Sequence, residues 1–362
     1  MDNVAELLYE LDNIHGVSGD EERVANYIVD IMSKYVDEHF EDALGNQFFV
    51  RKGNSPEYSI MIAAHMDEIG YIVKYIDDKG FISFLPVGIH DPRMSVNQVM
   101  EIKTDVGVVT GVVGSKPSHI VSSEEAIKTI PFDELFIDVG TFSKEETENL
   151  GIAVGDFITI SRKGQFINNG TVYTGKSIDN RSGCAVLIQL MKELEGKVIA
   201  PTIYAVTTIQ EEIGIRGSGP VAFGIQPDIA IALDVTFAGG TPGIDEKSMP
   251  IKLGQGPAIK YFDWSMKTFN GNAVPKKLTK KMIGVAEQES LPYQKEIMIG
   301  GATDASKISL AGKGILTGGL SIPMRYMHSS IGTVLMKDIK DTVSLLKAFV
   351  MTNHLDLLNL RK

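Results

Sequence analysis

Four apolar runs in this chain each end in side chains that can hold a cation or move a proton. Tyr58 to Ala64 (YSIMIAA) leads into His65-Met66-Asp67, and PTIYAVTTI leads into Gln210-Glu211-Glu212. DIAIAL leads into Asp234, while ILTGGLSI reaches His328 through Pro323-Met324-Arg325-Tyr326-Met327. Asp179, in SIDNRSG, opens a further apolar segment. Continuous apolar runs of this kind are strands covered on both faces. Open α/β sheets bind ligands beyond the carboxyl ends of such strands. Each residue alone has a plain reading: a structural histidine, a solvated acidic pair, a helix cap. The repetition of ligand-type residues at the same end of otherwise apolar strands argues for one site.

The chemistry that set supports is a two-metal centre. Zinc-type ions accept imidazole nitrogen and carboxylate oxygen at about 2.0–2.2 Å and leave a position open for water. Two ions roughly 3.5–4 Å apart need a shared carboxylate and a separate outer set each. Two histidines and three carboxylates meet that need, with a further carboxylate left over as general base. Glu211-Glu212 offers both kinds, because neighbouring side chains diverge where a strand ends. Asp67, two residues from His65, lies on the same side of the extended chain and can accept the His65 ring N–H.

The surrounding elements divide the chain into two textures. Residues 1–40 read as helices, with Ser18 and Glu21 spaced as a capping box and Val24, Ile28, Ile31 and Tyr35 at helical intervals. From about Tyr71 to Gly164, short Val/Ile runs alternate with Gly and polar turns, beginning with a hairpin signal at Asp77-Asp78-Lys79-Gly80. That block predicts a small β-barrel or sandwich, with SSEEAIKTI as its one helical piece. After Gly175 strands and helices alternate again, starting with the apolar RSGCAVLIQLMKEL and ending in a helix with Leu335, Ile339, Val343, Leu346 and Val350 on one face. The expected fold is α/β, with a catalytic domain of residues 1–69 and 165–362 interrupted by a β domain of residues 70–164.

Composition excludes several classes. At 43% hydrophobic and 22% charged residues, the 362-residue chain is no disordered polymer. A net charge of −11 argues against nucleic acid as a partner. The lone Cys184 excludes a disulfide framework and cysteine-rich metal sites, so a metal must be held by His and carboxylate. Asp2 and Glu6 stand where a signal peptide wants basic residues, and no apolar run is long enough to span a membrane. The expectation is a soluble cytoplasmic protein. His15, His39 and His354 read as helical or surface residues, His90 and His119 as loop residues, and Cys184 as a small buried hydrophobe. Residues 170–177 match the P-loop expression G-x-x-x-x-G-K-[ST] in full. A P-loop must follow a buried strand and run straight into a helix. Here a polar turn precedes it, Val172-Tyr173-Thr174 suits β structure, and the helix starts near Arg181, so nucleotide binding is set aside.

The motif series AAHMDEIG, DNR with its following Gly, QEEIGIRG, ALDVT, GGATDAS and SIPMRYMHS resembles that of the glutamyl-aminopeptidase family of dinuclear metallopeptidases, which includes the tetrahedral aminopeptidases. The resemblance implies a three-layer zinc-peptidase-like domain with a mixed sheet and an inserted β-barrel that makes subunit contacts. It implies two divalent ions per subunit, zinc foremost, with cobalt or manganese able to use the same donors. His65, Asp179 and Asp234 resemble the ligands of one ion, and Asp179, Glu212 and His328 those of the other, with Asp179 bridging. Glu211 matches the general base on the shared water, and Asp67 the residue that orients His65. Phe237 stands where relatives often carry His. Substrates would be short peptides cut at a free N-terminus, in a homo-oligomer of dimer units extending to a tetrahedral dodecamer. Ligand spacing alone leaves open a carboxypeptidase or another amidohydrolase on the same fold; the motifs decide for an aminopeptidase. Asp304 and Arg325 are expected at the substrate pocket.

Overall fold

A computed structural model describes residues 3–54 and 58–358, so Asp2 lies outside the described residues. Four parallel strands lie side by side at the centre of a twelve-stranded mixed sheet, in the order Thr202–Thr208, Ser59–His65, Ile229–Phe237 and Leu316–Arg325. Antiparallel strands flank them: Gln47–Arg51 and Glu38–Glu41 on one side, Gly332–Leu335, Val172–Gly175 and Gln165–Ile167 on the other. A branch of Ala258–Ser265, Asn270–Ala273 and Gln294–Ile299 joins at Leu316–Arg325.

Strand alternation explains the three layers. Successive side chains point to opposite faces, so Ile60, Ile62 and Ala64 enter one core while Met61 and Ala63 enter another. The first core is closed by the helices Asn3–Asp12, Glu22–Met32, Ile178–Leu194, Lys276–Gln288 and Met336–Met351. The second is closed by Ser218–Ile225 and Ala305–Ile308. Because the central strands are parallel and in register, their carboxyl ends arrive together. Thr208 is level with His65, and two residues beyond the Ala63–Ala232 pair come His65 and Asp234.

Six further strands form a closed antiparallel barrel in the order Gly70–Ile76, Ile82–Val87, Ile137–Asp138, Gly107–Val113, Val99–Thr104 and Phe157–Ile160. Its separate core includes Tyr71, Phe84, Met100, Ile102 and Ile158. Closure removes the free strand edges that so small a sheet would otherwise expose.

Several local expectations change. SSEEAIKTI is not a helix, although its start is capped as one. Ser122 N–H donates to Glu125 Oε2 at 3.0 Å and Glu125 N–H to Ser122 Oγ at 3.2 Å. No apolar stripe comes after it to bury, and Pro131 is near, so a single turn forms and stops. The barrel region's helix is Lys144–Asn149, capped by Ser143. The strands Glu38–Glu41 and Gln47–Arg51 fall in or just after the stretch read as helical. His15 and His354 are buried, not solvated. Residues 170–177 form the turn and second strand of a hairpin, and Lys176 Nζ donates to Glu68, which leaves no phosphate cradle.

His354 carries a measurable consequence. Its Nε2–H donates to the Phe349 carbonyl at 2.7 Å, while Nδ1 is buried without a partner. Burial therefore holds the imidazole neutral and pulls its pKa down to about 4. A depressed folded pKa gives stability that is complete above the unfolded value near 6.5 and is lost as pH falls toward 4. Chemical denaturation should show the advantage of wild type over His354→Gln shrinking by about 2 kcal/mol between pH 7 and pH 5.

Candidate metal centre

The seven residues singled out at strand ends and in SIDNRSG come together. His65 Nε2 lies 3.2 Å from Asp179 Oδ1 and 3.7 Å from Asp234 Oδ1. His328 Nε2 lies 3.4 Å from Asp179 Oδ2 and 3.4 Å from Glu212 Oε2. Two groups could therefore each hold a metal ion, His65 with Asp179 and Asp234, and Asp179 with Glu212 and His328. Asp179 belongs to both and turns one oxygen to each histidine. It sits just before the regular part of Ile178–Leu194, where Asp179 and Asn180 have non-helical dihedrals and a cis peptide joins them. Asn180 Nδ2 donates to the Leu233 carbonyl at 2.8 Å, tying this turn to the strand that carries Asp234.

Both histidines are oriented from behind. His65 Nδ1 faces the Asp67 carbonyl at 3.2 Å and Asp67 Oδ1 at 3.4 Å. The expected carboxylate contact is thus joined by a closer one to the backbone of the same residue. His328 Nδ1 donates to the Ile89 carbonyl at 3.0 Å. A hydrogen bond at Nδ1 fixes the tautomer that leaves Nε2 free for a cation. His328 and Tyr326 have positive φ, 56° and 59°, a strained conformation that lets the chain turn His328 back over the sheet edge.

Asp67 does more than orient His65. Its carboxylate accepts from Glu211 N–H at 3.0 Å, from Glu212 N–H at 3.1 Å and from Ser18 Oγ at 2.6 Å. Glu21 Oε1 accepts from Gln210 N–H at 3.1 Å and from Gly19 N–H at 2.9 Å. Three successive amides are thereby held by two buried acids, which fixes the turn carrying Glu211 and Glu212, with Gln210 at φ 52°. The capping box expected of Ser18 and Glu21 is absent for this reason. Both side chains serve the site, and Glu22–Met32 begins without a side-chain cap.

Ile89 and Glu21 are the residues that sequence reasoning missed. Ile89 follows Gly88, at φ 88°, where a Cβ would come within 2.6 Å of Ile69 Cγ2 and 3.5 Å of Glu212 Cβ. Glycine is what allows the barrel's loop to pass so close to the acids. Asp304 is buried and bonded to Thr208, outside the cavity lining, and Arg325 reaches the Gly240 carbonyl. Ser265 lines the cavity, while the neighbouring Trp264 packs edge-on against Phe269. His119 is exposed, and Cys184 is buried with Sγ 3.3 Å from the His65 carbonyl.

The electrostatics describe a site short of positive charge. Burial raises the Glu211 carboxyl well above its ordinary range, and repulsion from Asp234 and Glu212 adds to this against the pull of His65. Burial likewise pushes Glu212 up to about 8 and raises Asp234. Burial alone would depress His65, but its contacts with Asp179, Asp234 and Asp67 raise it well above 6.5. His328 is carried to about 10 against its burial by Glu212 and Asp179. Asp179, facing two imidazolium ions, is held below the usual carboxylate range despite being buried. Protons thus do the balancing that divalent cations could do, and an oxygen-and-imidazole donor set suits such cations.

An α/β sheet of this order, a closed antiparallel barrel and a His/carboxylate cluster at the parallel strand ends define a zinc-peptidase-like hydrolase. The chain belongs to the M42 glutamyl aminopeptidase family, which it matches over residues 45–345. It is 39% identical over 345 residues to a putative aminopeptidase of Acetivibrio thermocellus, covering 95% of this chain and 98% of the other. It is 33% identical to the lysyl aminopeptidase of Pyrococcus furiosus, covering 95% and 96% of the two chains. Among solved structures, a TET aminopeptidase from a marine-sediment Thaumarchaeota archaeon superposes with a TM-score of 0.94 at 33% identity, over 100% and 99% of the chains. The TET1 peptidase of Pyrococcus horikoshii, which can assemble into a tetrahedron or a large octahedral shell, gives 0.86 at 30% identity, over 97% and 100%. The protein is accordingly a metallopeptidase of aminopeptidase type.

Since ligands must lose their protons to bind a cation, occupancy should release protons. Isothermal titration with zinc should show affinity rising at least tenfold from pH 6.5 to 7.5, with proton release revealed by buffers of different ionisation heat.

Proposed function

We propose that this chain removes the N-terminal residue from short peptides at a two-metal centre. His65, Asp179 and Asp234 would hold one divalent ion, and Asp179, Glu212 and His328 the other, zinc first among the candidates and cobalt or manganese as alternatives. When bound, the ions would supply Lewis-acid polarisation of the scissile carbonyl and acidify a water molecule. The observation that carries this reading is Asp179, whose two oxygens face the two histidines from either side.

Glu211 lies in the wall of the same cavity and belongs to neither ligand group. It is the general base that takes the proton of the attacking water and returns it to the leaving amine. Asp67 is a positioning residue, holding the His65 imidazole and the amides of Glu211 and Glu212 together. A carboxypeptidase or other amidohydrolase would use similar ligands, but the relatives and solved structures named above are aminopeptidases and peptidases.

Residues 70–164 are proposed as the inserted unit through which subunits associate. Val99 and Val112 are paired on neighbouring barrel strands and both exposed, as are Val106, Val108, Ile120 and Phe136, which offers apolar surface for a subunit contact. Assembly into dimers, and from them into an enclosing dodecamer, would admit short peptides and turn folded proteins away. No helix among the described residues is long and apolar enough to cross a membrane, and the proposed location is the cytoplasm.

Two measurements bear on this. Glu211→Gln should retain both cations by elemental analysis while kcat falls roughly a hundredfold to ten-thousandfold; full activity with both cations present would remove Glu211 from the mechanism. Mass photometry should find dimers or larger species for the wild-type chain, and a Val108→Glu, Val112→Glu double variant should shift them toward monomer.

A further inference from the structure

The cluster of acids and histidines occupies one side of a cavity of about 320 Å³. Phe237, Met298, Gly301 and Met327 line the remainder with other uncharged residues and one lysine. Gly301 opens this wall. A Cβ there would stand 2.9 Å from Met298 Cε and 3.7 Å from Phe237 Cε2, so the three residues meet at one spot.

Met298 is anchored from behind the wall. Its Sδ lies 3.2 Å from Lys260 Nζ and 3.6 Å from Thr236 Oγ1. Lys260, only 1% exposed, is neutralised by Glu296 Oε2 at 2.8 Å. Lys260 is therefore already paired and lies behind a thioether. Thr303 offers no free donor either. Its hydroxyl donates to Asp263 Oδ2 at 3.2 Å and accepts from Ala305 N–H at 3.3 Å.

We infer that this wall receives the side chain of the substrate's N-terminal residue and selects uncharged aliphatic side chains of leucine or methionine size. The inference rests on the aminopeptidase reading above, which places the scissile carbonyl among the acids. A carboxylate side chain would shed its water against Phe237 and Met298, with only the neutral side chains of Ser265, Thr268 and Asn270 and one lysine elsewhere in the lining to replace it. The lining Lys267 is exposed and its charge is screened by solvent. A lysine or arginine side chain would find no carboxylate outside the acid cluster. An aliphatic side chain loses nothing on entry and buries its methylenes against the Phe237–Met298 contact.

The test is a series of X-Ala-Ala tripeptides assayed with cation-loaded enzyme, X being Leu, Met, Ala, Lys, Arg, Glu or Asp. Leu and Met should exceed every charged residue by at least tenfold in kcat/KM, and exceed Ala by roughly 10- to 100-fold. Gly301→Val should fill the wall and bring Leu and Met down to the level of Ala, with Gly301→Ala intermediate. The alanine variant is also the fallback if the valine variant does not fold, because its new Cβ crowds only the far end of Met298, at 2.9 Å, and makes ordinary contact with Phe237 at 3.7 Å. A charged residue that equals or beats Leu, or a Leu:Ala ratio unmoved by substitution at Gly301, would overturn the inference while leaving peptide hydrolysis intact. Failure to cleave any member of the series with cations bound would instead overturn the aminopeptidase reading, and the inference with it.

Discussion

Carboxylates crowded into a space poor in water are the constraint on which the rest of this structure depends. Asp67, Asp179, Glu211, Glu212 and Asp234 converge within a few side-chain lengths, and burying an unpaired charge costs several kcal/mol. Such a cluster survives only if each oxygen has a defined partner. The partners are two imidazoles, the amides of residues 211 and 212, the Ser18 hydroxyl and the cations that the donor set suits. The fold is the means of delivering those partners. Parallel register brings His65 and Asp234 to one level, and antiparallel flanking strands close the sheet without disturbing that edge.

Rigidity around the cluster comes from the same requirement. The turn bearing Glu211 and Glu212 would be mobile as an exposed loop, yet three of its amides are held by Asp67 and Glu21. These acids act as fixed anions under a short run of N–H groups, an arrangement related to anion-binding nests but with protein carboxylates as the anions. Two acidic residues on an otherwise flexible turn thereby take up defined positions.

Much of this could be read from residue order. The chain's apolar runs mark the central strands because buried parallel strands have no polar face, so a His, Asp or Glu at the end of each run stands out. The Gly and Val/Ile texture from residue 71 onward marks the barrel for a similar reason. Less legible are contacts made by backbone atoms and by residues with a stronger local signal. The Ile89 carbonyl leaves no mark on side-chain chemistry. Ser18 and Glu21 have the spacing of a helix cap, and tertiary partners prevail over that local use. The strands Glu38–Glu41 and Gln47–Arg51 are too short and mixed in character to override the helical pattern before them. SSEEAIKTI errs the other way, its local cap being real while no core exists for a helix to join.

The hydrogen bond from His328 to Ile89 bears on how the molecule is made. Its two residues are 239 positions apart, and Ile89 belongs to the loop that leaves the barrel strand Ile82–Val87. During synthesis His65 emerges early, the barrel next, and His328 only after most of the chain. The group of Asp179, Glu212 and His328 is therefore incomplete until the turn between Leu316–Arg325 and Gly332–Leu335 has met the barrel loop. High contact order of this kind slows folding, and it would also delay the capture of a cation by that group. A half-made chain has His65 and scattered acids to offer, whereas both sets are present together only in the finished fold.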